Sequence, residues 1–201
     1  MSLKRLVVAT AIAAAVITSA PLPAATIDAP AALAVDRAQS QVTFTVTKWG
    51  FLDVEGRFDE FDGTIVYDAA RPEASRIDWR VKVASVDTDE PKRDESLQAS
   101  EYFDAARHPE LTFVSDRVTR AGPDQLDVQG RITIRDRTRP LTVQVRHATL
   151  PGAPGAQAVE RFETQFTINR YDFGVVGGRV LGPVISRDVR VKLVIVGRRA
   201  S

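Results

Sequence analysis

The chain has 201 residues, 44% of them hydrophobic and 26% charged, with a formal net charge of +1. That length suits one domain with a sizeable core, and the composition is that of an ordinary globular protein. Cysteine is absent, which excludes disulfides, thiolate metal sites, a cysteine nucleophile and a lipidated amino-terminal cysteine.

In chain order, the first feature is a basic start at Lys4 and Arg5, then an apolar run from Leu6 to Ile17 and a small-residue exit through Ala24 and Ala25. This is the pattern of a signal peptide over residues 1–24, with cleavage near 24/25; its apolar core is too short for a membrane span. Loss of Lys4 and Arg5 leaves 25 cations against 26 carboxylates, so no global field favours nucleic acid. Residues 25–35 are rich in Ala and Pro and read as a flexible lead-in to a single domain over 36–199.

From Asp36 onward the hydrophobic period is two. Val42, Phe44 and Val46 alternate with threonines, and Val54, Gly56 and Phe58 with charged residues. Parity slips before Phe61, where a bend including Asp62-Gly63 is expected. Ile77, Trp79, Val81 and Val83 give the cleanest alternation. Further strands are expected from Leu111 to Val118, from Leu126 through Ile132 to Ile134, and over Leu141, Val143 and Val145. Phe162, Thr164, Phe166 and Ile168 make another, and Val189 to Ile195 the last. Turns are expected at Gly122-Pro123-Asp124 and from Asp136 to Pro140. Strands at this spacing, each with one apolar and one charged face, predict an all-β antiparallel sandwich or barrel. A transmembrane barrel would alternate in the same way; several strands look too short for one.

One stretch breaks the alternation, near residues 92–109. Asp94 and Glu95 suit the first turn of a short helix, and His108-Pro109 ends helical geometry. Leu97, Tyr102 and Phe103 are its large apolar groups, so a plug or lid across the β structure is expected. Trp49, Phe51 and Leu52 form an apolar turn that either packs over a barrel end or makes a portal.

Signals for catalysis are weak. Neither His108 nor His147 belongs to a metal-binding spacing, His147 being placed on a strand's polar side, and no GxSxG elbow is present. Asp59 to Gly63 lacks the ligand ladder of a calcium loop. The chain therefore offers no catalytic residue and no metal site. Arg131 and Arg135 read as the wet face of a strand, with an anionic-headgroup patch as the alternative. Arg170 and Asp172, beside Phe173-Gly174, read as a charge pair fixing a corner, with Arg170 holding a headgroup as the alternative.

Four pieces, in this order, carry a family resemblance. They are Val54 to Phe58 with Phe61-Asp62-Gly63; Arg93 to Leu97 through Tyr102-Phe103-Asp104 to His108-Pro109 and Thr112-Phe113; Gly130 to Ile134 with Thr138 to Leu141; and Asn169 to Gly174. Together they resemble the YceI-like family of bacterial periplasmic lipid-binding proteins. The resemblance implies a lipocalin-like, eight-stranded antiparallel barrel, a periplasmic location, and an isoprenoid or fatty-acyl amphiphile bound inside in place of a cofactor. It makes Phe44, Val46, Phe58, Trp79, Val81, Phe113, Ile132, Ile134, Phe162 and Phe166 the expected interior lining, with Trp49, Phe51, Leu97, Tyr102 and Phe103 as lid or portal. One departure is Asp136-Arg137 where the family's glycine usually stands. Two other readings remain: a filled barrel acting through its surface, and an enzyme on the same barrel using His108. Homodimer formation is open.

Overall fold

The computed structural model describes residues 31–152, 155–180 and 182–200. The expected signal peptide and its cleavage site lie outside these residues. In order, the described elements are β1 (Ala31–Val35), β2 (Gln41–Lys48), β3 (Leu52–Phe58), β4 (Phe61–Tyr67), β5 (Arg76–Lys82), β6 (Val86–Asp87) and α1 (Pro91–Gln98). Then follow β7 (Glu110–Gly122), β8 (Gln125–Ile134), β9 (Arg137–Leu150), β10 (Val159–Asn169) and β11 (Ile185–Arg199).

The strands β1, β4, β5, β7, β8, β9, β10 and β11 close into an antiparallel ring, because β1 pairs with both β4 and β11. The expected eight-stranded barrel is thus present. Strands β2, β3 and β6 continue the sheet from β11. β1 and β2 share one edge of β11: β2 takes Ile185 to Val194 and β1 takes Gly197 to Arg199. Ser40 holds the step between them, its Oγ donating to Asp36 O at 2.7 Å and accepting from Val196 N at 3.0 Å.

The period-two residues point their apolar faces inward. On β9, Val143 and Val145 are buried while Thr142, Gln144 and Arg146 are exposed. That direction excludes a lipid-facing exterior. Several strands are short, as expected, with 5, 7 and 7 residues in β1, β4 and β5, while β7, β9 and β11 have 13, 14 and 15; the charged outer face is what decides.

Three local expectations are corrected. The lead-in does not extend to residue 35, because Ala31–Val35 forms β1, with Leu33 7% exposed in the core. The bend falls at Asp59-Glu60, and Asp62-Gly63 lies within β4, where Gly63 faces Trp79 across the ladder. A Cβ at Gly63 would sit 2.2 Å from Asp78 O and 2.7 Å from the Trp79 ring, so glycine is there to seat the indole, not to turn the chain. The expected turn from Asp136 to Pro140 is only two residues, Arg135-Asp136, and Thr138 to Pro140 belong to β9. Pro140 is tolerated because that part of β9 pairs only with β8. The short helix is where it was expected, with Asp94 in its first turn and Pro91 at its start, where a missing N–H costs nothing.

Gly63→Ala is expected to destabilise the fold by about 2–3 kcal/mol, since the backbone carbonyl it meets cannot swing away. Thermal denaturation should show the midpoint falling by roughly 4–12 °C.

Candidate functional site

The barrel is hollow. Its cavity has a volume of about 590 Å³ and runs between two differently built ends. All ten residues expected inside line it: Phe44, Val46, Phe58, Trp79, Val81, Phe113, Ile132, Ile134, Phe162 and Phe166. A filled barrel does not fit this interior. Part of the space survives because aromatic rings lie flat on the wall. Phe44 crosses the ladder to Gly56, and a Cβ there would meet its ring at 2.4 Å; a larger residue would push that ring into the void.

At one end, α1 and the loop after it close over the opening. Leu97, Tyr102 and Phe103 line the cavity from there, with Phe103 edge-on to Phe58 at 6.0 Å. No residue of α1 is fully buried; Asp94 anchors it by accepting from Thr88 N at 2.9 Å. Buried Asp104 braces the loop through Arg107 and, at 3.6 Å, Arg135. Arg135 takes a left-handed φ of 58° and donates to Tyr102 O at 3.1 Å and Gly174 O at 2.8 Å. Those bonds hold a turn whose left-handed residue is not glycine, so Arg135 is a tertiary brace and not wet face. Trp49 and Phe51 stand outside the cavity, 54% and 81% exposed.

The hydrogen bond from Arg107 holds the Asp104 carboxyl below its usual range, and backbone donation from Arg71 does the same for Asp68. A depressed carboxylate pKa stabilises the fold above the unfolded value and loses that stabilisation as pH falls through the folded one. The melting temperature should therefore hold above about pH 5 and drop steadily below about pH 4. Asp104→Asn with Asp68→Asn should be less stable at neutral pH and show a shallower acid loss, measured by calorimetry across that range.

The corner at Arg170 differs from expectation. Its guanidinium makes no ion pair with Asp172, which is exposed. It donates instead to four carbonyls: Ser186 O at 2.9 Å, Val175 O at 2.6 Å, Gly182 O at 2.7 Å and Ile185 O at 3.0 Å. Arg170 is 5% exposed and burial pushes its pKa down, yet a guanidinium keeps its charge. Carbonyl oxygens pointing at one cation fix this corner without a carboxylate.

The opposite end of the cavity was not foreseen. Tyr67, which lines it, places its hydroxyl 3.1 Å from His147 Nδ1. His147 Nε2 lies 2.7 Å from Glu160 Oε2, which also accepts from Thr149 Oγ1 at 2.8 Å. The His147 ring stacks on Phe162 at 4.9 Å. An ionised Glu160 can only accept, so in the neutral imidazole Nε2 carries the hydrogen and Nδ1 accepts from Tyr67. Burial first, then the Glu160 charge, pushes the Tyr67 phenol up. His147 therefore faces inward and not the polar side of its strand. Parity carried the signal: 147 is in phase with Val143 and Val145, and Glu160 with Phe162. Neither histidine lines the cavity itself: His147 sits behind Tyr67 and Phe162, and His108 lies elsewhere.

The family model for the YceI-like domain matches residues 33–197. The chain belongs to the YceI-like family. Among YceI-like relatives, a UPF0312 protein of Pseudomonas savastanoi pv. phaseolicola is 31% identical over 148 residues, covering 74% of this chain and 77% of that protein. Protein YceI of Salmonella arizonae is 30% identical over 156 residues, covering 78% and 80%. Among solved structures, Burkholderia cenocepacia BcnA superposes with a TM-score of 0.73 at 27% identity, over 81% of this chain and 99% of that one. A polyisoprenoid binding domain from Saccharophagus degradans shares the fold, with a TM-score of 0.64 at 16% identity over 85% and 99%.

Proposed function

We propose that the protein sequesters or carries a long-chain isoprenoid or other amphiphilic lipid inside its barrel, in the periplasm, without turning it over. The observation that carries this reading is the hollow apolar interior of about 590 Å³, a size that suits a small ligand buried over most of its surface. The Saccharophagus degradans neighbour, a polyisoprenoid binding domain, points the same way. Each buried methylene contributes about 0.8 kcal/mol, opposed by the cost of ordering a flexible tail. Tight binding then needs few polar contacts, and cavity length sets selectivity.

Native mass spectrometry of protein recovered from its own cell envelope, followed by solvent extraction, tests this. A discrete added mass released as an isoprenoid or acyl amphiphile supports the carrier role and names the ligand class. A mass that stays apo after incubation with such lipids overturns it.

A further inference from the structure

Two exposed apolar tips sit side by side at the lid end. The β2–β3 hairpin carries Trp49, Phe51 and Leu52, 54%, 81% and 44% exposed; the loop over residues 176–180 carries Val176 and Val180, 51% and 82% exposed. Positive φ values at Trp49 (56°) and Gly50 (79°) turn the hairpin so that its two rings stack on each other outside the barrel, 6.4 Å apart. Gly177 N donates to Glu101 O at 2.9 Å, which ties the second tip to the lid, and Trp49 N donates to Val184 O at 2.8 Å, which ties the hairpin to the segment that follows the second tip. Their chain neighbours Lys48, Val175 and Ile185 line the cavity at this end. Packing has not buried these side chains, although the mouth is within reach. Exposed clusters of this kind mark interaction surfaces.

We infer that this rim docks on a phospholipid bilayer, with the two tips entering the headgroup region and the cavity mouth facing the membrane. The inference deepens the carrier reading by naming the surface that a lipid cargo would leave or enter. Charge selects the partner. Lys48 Nζ lies 4.2 Å over the Trp49 ring, and exposed Arg179 stands beside Val180 with no ion pair among the described residues. Neither 48–52 nor 176–180 contains a carboxylate. An indole at the interface with a cation reaching for phosphate is the arrangement that headgroups favour. A second copy meeting the same patch would oppose like cations, and a long apolar cargo has a membrane, not water, as its source.

The test uses the protein in its secreted form and vesicles of phosphatidylethanolamine with phosphatidylglycerol. The chain has two tryptophans, and Trp79 Nε1 has no hydrogen-bond partner among the described residues, so Trp79→Phe removes no bond and leaves Trp49 as sole reporter. Emission should shift to the blue as vesicles are added, and unsubstituted protein should co-sediment with them. Phe51→Ser with Val180→Ser should weaken vesicle binding at least tenfold, and Lys48→Glu with Arg179→Glu should weaken it most at low salt. Unchanged emission with protein left in the supernatant overturns the inference. So does self-association that Phe51→Ser abolishes while vesicles are ignored, which would assign the patch to a second copy. Native mass spectrometry on the same samples separates the two readings: an apo protein that still binds vesicles keeps the docking surface and sinks the carrier.

Discussion

Val143→Trp is expected to lower retention of a long-chain lipid by roughly 100-fold while leaving the barrel folded. Val143 faces the cavity from β9, is 7% exposed and sits across from Val128. In a packed core an indole here would be overpacking. Here it enters a void of about 590 Å³, so the fold should lose only about 1 kcal/mol. The lipid loses more. Displacing four methylenes from the wall costs about 3 kcal/mol, which is about two orders of magnitude in affinity. Gln144→Trp, one residue on and pointing outward, is the control and should load normally. Native mass spectrometry and thermal melts read both effects, and full loading of a folded Val143→Trp protein would falsify an internal site.

Glu160→Ala should cost about 3–5 kcal/mol, the range for removing one partner of a buried charged network. Glu160 is 4% exposed and serves His147, Thr149 and, at 3.8 Å, Arg199. Alanine would leave His147 Nε2 buried without its acceptor and loosen the ring that stacks on Phe162. The damage would fall at a weak place in the barrel: Tyr67 pairs with Ala31 in the short β1–β4 ladder, and Glu160 pairs with Gly197 beside the β1–β11 ladder. The double change His147→Phe with Glu160→Leu removes both sides of the main contact and should be less destabilising than Glu160→Ala alone. Denaturant melts of the three proteins decide this. Equal losses in both variants would mean that Glu160 acts by volume and not by charge.

Much of this was legible in the chain, for a simple reason. A strand's side chains alternate strictly, so a run such as Ile77-Asp78-Trp79-Arg80-Val81 declares a two-faced sheet whatever its neighbours are. The ten lining residues follow from that parity once the apolar side is taken as inside. The interruption at α1 was equally readable, because charged Asp94 and Glu95 and the His108-Pro109 stop break the alternation. Even the inward phase of His147 was written there, although its neighbour Arg146 drew attention to the polar face.

The remainder depends on distances that no local pattern encodes. Gly63 reads as a turn residue until Trp79 is seen lying over it. Arg135 reads as wet face until its turn is seen bonded to Tyr102 and Gly174, residues 33 and 39 positions away. Arg170 and Asp172 look like a pair because opposite charges two positions apart invite pairing, yet four backbone carbonyls from further along the chain, between Val175 and Ser186, reach the guanidinium first. Hollow and filled barrels share one hydrophobic pattern, since alternation fixes which residues face inward but not how far apart the opposing walls stand. By itself the sequence determined an all-β chain, the apolar face of each strand and the place of its lid, while burial in the fold turned that face inward. Only the tertiary structure decided that the interior is open, that Tyr67, His147 and Glu160 meet at its far end, and that Trp49 and Phe51 stand outside it. Those features arise where strands distant in sequence converge.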